Sequence, residues 1–428
     1  MKKNSKNRKY LIVGSGAREH AMAWALSLNP YTQKVFISPG NFGMTFEPKC
    51  EIVKFSNFEQ MINFAKENQI DTILVGPEQP LVEGFVDLCK MQKIDVFGPP
   101  AKSAMLEGSK IFAKNLMKKY GIETARFETF DNFKKAADFL SSAGKYPVVV
   151  KADGLAEGKG VFIVQSYEEA MNILDLLFNK SKFGKSGEKI VIEECLQGYE
   201  ASIIVLSDGK SFKPLISAKD HKKAFDNEQG PNTGGMGAIS PNPLLTEDDM
   251  QKLEKRIILP TFNALKKEGL LYSGALYFGV MITKDGPFLL EYNVRFGDPE
   301  TSSILFSLDT DFSTCIDACM NGYLEKLDLN WKEGFSVTLV AASKGYPDKY
   351  EVGYEIAGYK DFIGEKSKNN LSKIFFAGVD YKDNKLVTNR GRVLNIVSRG
   401  KTLEEARKNV YQDIEKIKFD NLYYRKDI

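Results

Sequence analysis

"VVVKADGLAEGKGVFIV", residues 148–164, is a β-branched run, a glycine-rich turn and a second apolar run. Valine and isoleucine favour strands, and glycine supplies the backbone freedom of a tight connection, so the stretch predicts a hairpin. Gly154, Gly158 and Gly160 would let backbone N–H groups come close to phosphate oxygens. Lys151, at the end of the first strand, and Lys159, in the loop, could reach the same oxygens. This is not a P-loop: "GLAEGKG" is one residue short of GxxxxGK[ST], ends in glycine, and precedes a strand where a helix is required. A plain glycine-containing turn would look similar, so the rest of the chain has to decide.

Further along, "EYNVRFGDPE" (291–300) leaves a strand with an acid, an amide and an arginine at alternate positions. Side chains two apart share a strand face. Leu289, Glu291, Asn293 and Arg295 are therefore expected on one side, and Phe288, Leu290, Tyr292 and Val294 on the other. A merely solvated face explains the set poorly, because asparagine is depleted in strands. A carboxylate with an amide oxygen suits magnesium, which takes few protein ligands and completes its shell with water and phosphate. Arg295 could then stabilise a transferring phosphoryl group.

Other stretches fit the same chemistry. Lys110 lies in the first turn of a helix capped by Ser109, where the dipole disfavours a cation unless an anion compensates. "VIEECLQGYEAS" (191–202) offers Glu193, Glu194 and Glu200 between strands, a placement suited to an adenine edge and ribose hydroxyls, though an acidic hairpin would read the same. "SAKDHKKAFDNEQGPNTGGMGAISP" (217–241) has no periodicity and reads as a long substrate-covering loop carrying Asp220, Asn232 and Thr233.

Residues 10–100 alternate short apolar strands with helical patterns, which predicts a parallel sheet wrapped by helices. "LIVGSGAREHA" opens like a dinucleotide-binding unit, but Glu19 stands at the third glycine position and the next strand ends "ISPGN" without a ribose-binding acid. NAD is disfavoured; a small phosphate ester at the helix start is not. Glu78 lies at another strand end on the same edge. An α+β section follows, and from about Trp331 a third unit closes with a helix opened by the capping box Thr402…Glu405. The expected domains are 9–107, 108–330 with a lid subdomain over about 124–192, and 331–428.

The bulk properties set limits. The 428 residues are 43% hydrophobic and 27% charged with net charge +3, which gives no broad basic surface for nucleic acid. No apolar run approaches the roughly 18 residues of a membrane span. Five cysteines without a CxxC pair indicate reducing cytoplasm, and two histidines exclude a histidine-based zinc site. "MKKNSKNRK" reads as a solvated tail.

Lys110, "VVVKADGLAEGKGV", "IEECL" with Glu200, and "EYNVRFGDPE" together resemble the ATP-grasp ligases. "GSGAREHA", "GPEQPLVEG", "KDHKKAFDNEQGPNTGGMGA" and "NVRFGDPET" narrow the resemblance, over about residues 10–425, to the phosphoribosylamine–glycine ligase family. It implies an N-terminal parallel α/β domain, an ATP-grasp core with a small lid, and a C-terminal α+β domain. The implied reaction joins glycine to 5-phosphoribosylamine with ATP and Mg2+ or Mn2+, through glycyl phosphate, in a cytoplasmic monomer.

Residue by residue, the resemblance puts Lys110, Lys151, Gly158, Lys159 and Gly160 on ATP phosphates. Glu193, Glu194 and Leu196 fall at adenine and Glu200 at ribose; Glu291 and Asn293 fall at the metal; Arg295, with Lys151, falls at the transferring phosphoryl group. Asp298 is implied for the substrate amine, Gly16, Glu78 and Arg392 for the phosphoribosyl part, and Asp220, Asn232, Thr233 and Gly234 for the substrate cover. The strand "ALYFGVMI" lacks the second metal-binding acid common in ATP-grasp enzymes. The final "RKDI" is expected to lie clear of the site. An ATP-dependent carboxylase or a formate-dependent transformylase of the same fold is the nearest alternative, and a nucleotide-binding regulator without turnover is the alternative from another class.

Overall fold

The computed structural model describes residues 7–155, 160–180, 187–364 and 371–428. The first six residues of the basic tail, and Gly158 and Lys159 of the hairpin, lie outside the described residues.

The N-terminal alternation folds as expected. Five parallel strands stand in the order Cys50–Ile52, Thr32–Pro39, Arg8–Gly14, Thr72–Val75, Val96–Phe97. The strand order reverses between Arg8–Gly14 and Thr72–Val75, the switch point at which such sheets open a crevice. Here Glu19 stands against Gly14, Gly16 and Gly76 at the crevice. Its carboxylate accepts the Gly16 N–H at 2.6 Å, and a Cβ on Gly76 would fall 1.9 Å from it. The helix start proposed for a phosphate ester is thus capped by the chain's own acid.

The centre of the molecule is an antiparallel sheet in the order Phe212–Pro214, Tyr199–Asp208, Ser273–Thr283, Gly286–Asn293. Its apolar face shares one core with the N-terminal sheet: Leu11, Ile73, Phe278, Leu289, Tyr292 and Val294 belong to a single buried cluster. A second four-stranded sheet, ordered Phe127–Phe130, Ile190–Glu194, Val148–Ala152, Val161–Val164, carries the predicted hairpin and has a separate core around Leu140, Val150, Leu174 and Ile192.

Two sequence expectations are corrected. Leu289 does not share a face with Glu291. A bulge pairs Gly279 with Glu291 but Val280 with Leu289, leaving Leu290 as the extra residue. One inserted residue reverses the alternation, so Leu289 turns into the core beside Tyr292. Nor is 217–241 an unstructured loop. Lys219–Asp220 and Gly237–Ser240 are strands of the C-terminal antiparallel sheet, followed in order by Phe335–Ser343, Arg392–Gly400 and Ser372–Phe376. Between them Lys223–Phe225 and Gln229–Asn232 form a small hairpin. The run "GAIS" is fully buried, and burial compensates for its weak strand pattern. Among the described residues no helix is long and apolar enough to cross a membrane.

Candidate active site

The two sheets meet at the bulge. Lys151, on the lid sheet, donates to the Leu290 carbonyl at 3.4 Å, one residue from Glu291. The same ammonium lies 3.0 Å from Glu193 Oε2, and Lys114, buried in the Lys110–Tyr120 helix, lies 3.1 Å from Glu193 Oε1. Glu193 is therefore enclosed between two lysines; the lid and the helix share one buried acid. Burial lowers Lys114, to about 8, although Glu193 opposes the shift.

Lys110 donates to the Gly154 carbonyl at 3.0 Å, so the helix start and the glycine-rich turn are in direct contact. The anion that its position calls for is supplied at least in part by Asp153. That carboxylate accepts from Ser109 Oγ at 2.9 Å and from the Ile111 N–H at 3.1 Å. Burial nonetheless holds Lys110 below its ordinary value, with Glu291 resisting and Lys151 adding to the drop.

Glu291 is the focus of these charges. Its carboxylate lies 3.7 Å from Lys222 Nζ, which is itself 2.9 Å from Glu200. Burial would raise the Glu291 carboxyl, but Lys222, Lys151, Lys110 and Arg295 together keep it below the usual range. Gly279, paired opposite, leaves the carboxylate its space: a Cβ there would come within 3.2 Å of Glu291 Cγ.

Arg295 is held by four groups. Nε lies 3.2 Å from Glu78 Oε2; Nη1 donates to the Phe296 carbonyl at 3.2 Å; Nη2 contacts Glu107 Oε1 at 2.8 Å and Asn293 Oδ1 at 3.1 Å. Burial works against ionised Glu78, yet Arg295 and Arg18 hold it down to about 2.

A second cluster lies just beyond. Arg392 Nη1 donates to the carbonyls of Gly234, at 2.6 Å, and Asp298, at 2.9 Å, while Nη2 lies 3.2 Å from Asp298 Oδ2. Gly16 borders the same carboxylate, since a Cβ there would fall 3.4 Å from it. Thr233 Oγ1 donates to the Lys222 carbonyl at 2.9 Å, tying the cover to the first cluster. Asp220 lies between the two: its buried Oδ1 has no hydrogen-bond partner among the described residues, and burial with nearby Glu300 drives its carboxyl well up.

The structure thus gathers Lys110, Lys151, Glu193, Glu200, Glu291, Asn293 and Arg295 on one side, and Gly16, Thr233, Gly234, Asp298 and Arg392 on the other, with Glu78 and Asp220 linking them. Gly160 accepts the Ala152 N–H at 2.9 Å within the hairpin. Glu194 turns away to an exposed Arg126 at 2.7 Å, Leu196 follows half-buried, and Asn232 pairs with Lys223 on the small hairpin.

Sequence reasoning missed Glu107, Asp153 and Lys114, charged residues at a helix end, in a turn and within a helix, where such residues are ordinary. The chain's last residues pack against the small hairpin. Arg425 is buried, 2.6 Å from Glu228 Oε1 and donating to the Lys223 carbonyl, and Asp427 accepts the Asn227 N–H at 2.8 Å. These contacts brace the hairpin that begins next to Lys222.

Comparison with known proteins agrees along the whole chain. Three family models match: the N domain of phosphoribosylglycinamide synthetase over residues 8–107, its ATP-grasp domain over 108–301 and its C domain over 336–428. The chain is 47% identical over 420 residues to phosphoribosylamine–glycine ligase of Clostridium acetobutylicum, covering 98% of this chain and 99% of that protein. It is 46% identical to the Caldanaerobacter subterraneus enzyme of the same name, with the same coverage. The crystal structure of phosphoribosylamine–glycine ligase from Thermotoga maritima superposes with a TM-score of 0.83 at 37% identity, covering 98% of this chain and all of that one. Biotin carboxylase of Campylobacter jejuni, at 16% identity and a TM-score of 0.74, shares the fold. The chain belongs to the phosphoribosylglycinamide synthetase family, with an ATP-grasp domain at its centre.

Proposed function

We propose that the chain ligates glycine to 5-phosphoribosylamine at the expense of ATP, giving glycinamide ribonucleotide, ADP and phosphate. The observation that carries this reading is the meeting of Lys110, Lys151 and Lys222 around Glu291, at the junction of the glycine-rich lid sheet with the strand ending in Arg295. Lys151 and Lys222 also pair with Glu193 and Glu200, and Lys110 holds the Gly154 carbonyl, so each ammonium group could turn from its present partner to an oxygen of a bound triphosphate.

On this reading residues 108–330 hold ATP, with the lid at about 124–192, and Lys110, Lys151 and the 158–160 turn contact its phosphates. Residues 190–200 border adenine and ribose. Glu291 and Asn293 offer two oxygens on one strand edge, and no group of three or more His, Cys, Asp or Glu side chains among the described residues could cage an ion. Two protein oxygens fit magnesium, which keeps water and phosphate in its remaining positions. When bound, the ion would neutralise charge on the phosphates.

Glycine's carboxylate attacks the γ-phosphorus, and ADP leaves with the broken P–O bond's electrons. The amine of phosphoribosylamine then attacks the acyl carbon of glycyl phosphate; phosphate departs and the amine loses a proton. No protein nucleophile is needed. The residues' task is to bring the groups together and offset charge, with Arg295 facing the transferring phosphoryl group. Residues 9–107, through Gly16 and Glu78, and residues 331–428, through Arg392, border the phosphoribosyl substrate, while Asp298 presents a carboxylate and Asp220 a carboxyl group to an ammonium or amine.

The test is ADP release from ATP and magnesium with each acceptor alone and with both. Release that depends on glycine, with product forming only when freshly made phosphoribosylamine is present, is expected. ADP release indifferent to glycine would overturn the reading.

A further inference from the structure

Glu107 is the next-to-last residue of the Ala101–Gly108 helix, three residues before Lys110. Its side chain, 7% exposed, turns against the strand end. One carboxylate oxygen accepts the Val294 N–H at 2.7 Å; the other lies 2.8 Å from Arg295 Nη2. The acid thus holds a backbone amide and the adjoining guanidinium at once.

An acid in this place is costly. Burial pushes its carboxyl up, to about 7, with Glu78 adding to the rise and Arg295 opposing it. A glutamine could accept the Val294 N–H equally well and would carry no desolvation penalty for charge. What only a carboxylate supplies is a counter-charge that fixes the guanidinium plane. Nη2 is the nitrogen that also donates to Asn293 Oδ1 at 3.1 Å, so the Glu107 contact sets where Arg295 stands relative to the Glu291–Asn293 pair. Without Glu107 the guanidinium would keep Glu78 on Nε and neutral acceptors on Nη1 and Nη2, but Nη2 would lose its charged partner and with it the shortest of the four contacts.

We propose that Glu107 is a positioning residue for the ligation, acting through Arg295: it fixes the guanidinium against the Glu291–Asn293 edge so that its charge is already in place when the phosphoryl group transfers. The inference rests on the reading that Arg295 faces that group.

The test is a kinetic cycle of wild type, Glu107→Gln, Arg295→Ala and the double variant, followed by ADP release with ATP, magnesium, glycine and phosphoribosylamine. Glu107→Gln is expected to lower kcat about tenfold with KM for ATP changed less than about twofold, and Arg295→Ala to lower kcat about a hundredfold. In the Arg295→Ala background the glutamine should cost less than about twofold more, because a residue acting through another loses its effect when that other is gone. Equal losses in both backgrounds would overturn the proposal, as would an unchanged kcat for Glu107→Gln beside a crippled Arg295→Ala. Near-normal turnover of Arg295→Ala would instead sink the reading of Arg295 itself. Should Glu107→Gln melt early, Glu107→Asp serves: it keeps the charge but withdraws it by one methylene. A kcat loss that again vanishes without Arg295 supports the proposal, and full activity overturns it.

Discussion

The two walls of the site are anchored in different ways. The strand end at 291–298 is fixed from three directions: Glu78 and Glu107 grip Arg295, Arg392 grips Asp298, and Tyr292 and Val294 lie in a core shared with the N-terminal sheet. The lid sheet has its own core; Lys151 ties it to the Leu290 carbonyl of this wall, and Asp153, the Gly154 carbonyl and Glu193 tie it to the Lys110–Tyr120 helix. A wall pinned by ion pairs to neighbouring domains is suited to hold transition-state charge without reorganisation. A sheet with a separate core is suited to close on a nucleotide and release it.

Substitutions on the two walls should therefore differ in kind. The largest effect is expected on the pinned side: Arg295→Ala should lower kcat about a hundredfold while KM for ATP stays within about twofold. A KM effect of similar size would erase the distinction. On the lid, Lys151→Ala removes a charge-assisted contact and should raise KM for ATP about tenfold, exceeding its effect on kcat; a pure kcat loss would place Lys151 with the pinned wall.

The smallest effect concerns anchoring itself. Glu78 is held at about 2 in the folded chain, below its ordinary value, so its ion pair with Arg295 stabilises the fold above about pH 4.5 and loses that contribution as pH falls toward 2. Glu78→Gln should cost on the order of 1 kcal/mol at pH 7, a value reduced for partial exposure, and the gap to wild type should narrow below about pH 4.5. Urea unfolding at several pH values checks this, and a gap independent of pH would mean that the ion pair anchors nothing.

Much of this arrangement was legible in sequence, and the gaps have physical causes. The parallel N-terminal sheet announced itself because its central strands, Arg8–Gly14 and Thr72–Val75, are apolar and largely buried and are separated by strong turn signals. The hairpin at 148–164 and the Ser109 cap followed from local chemistry, and Ser109 does accept the Phe112 N–H. Strand alternation placed Glu291, Asn293 and Arg295 together but failed at Leu289, since a bulge is set by the partner strand and leaves no mark of its own in the sequence. "GAIS" was hidden because its strand character comes from burial between distant strands. Glu107 and Asp153 were invisible for a related reason: each matters only through what lies across the chain from it, Arg295 in one case and the Lys110 helix in the other.

One triphosphate is expected to fill the space between the two walls. A crystal structure with a non-hydrolysable ATP analogue and magnesium tests it directly. The predicted result has the phosphates touching Lys110 and Lys151 on one side, with the ion on Glu291 and Asn293 on the other. An analogue bound elsewhere, or one touching the lid lysines with the strand end left more than a hydrogen-bond length away, would contradict it.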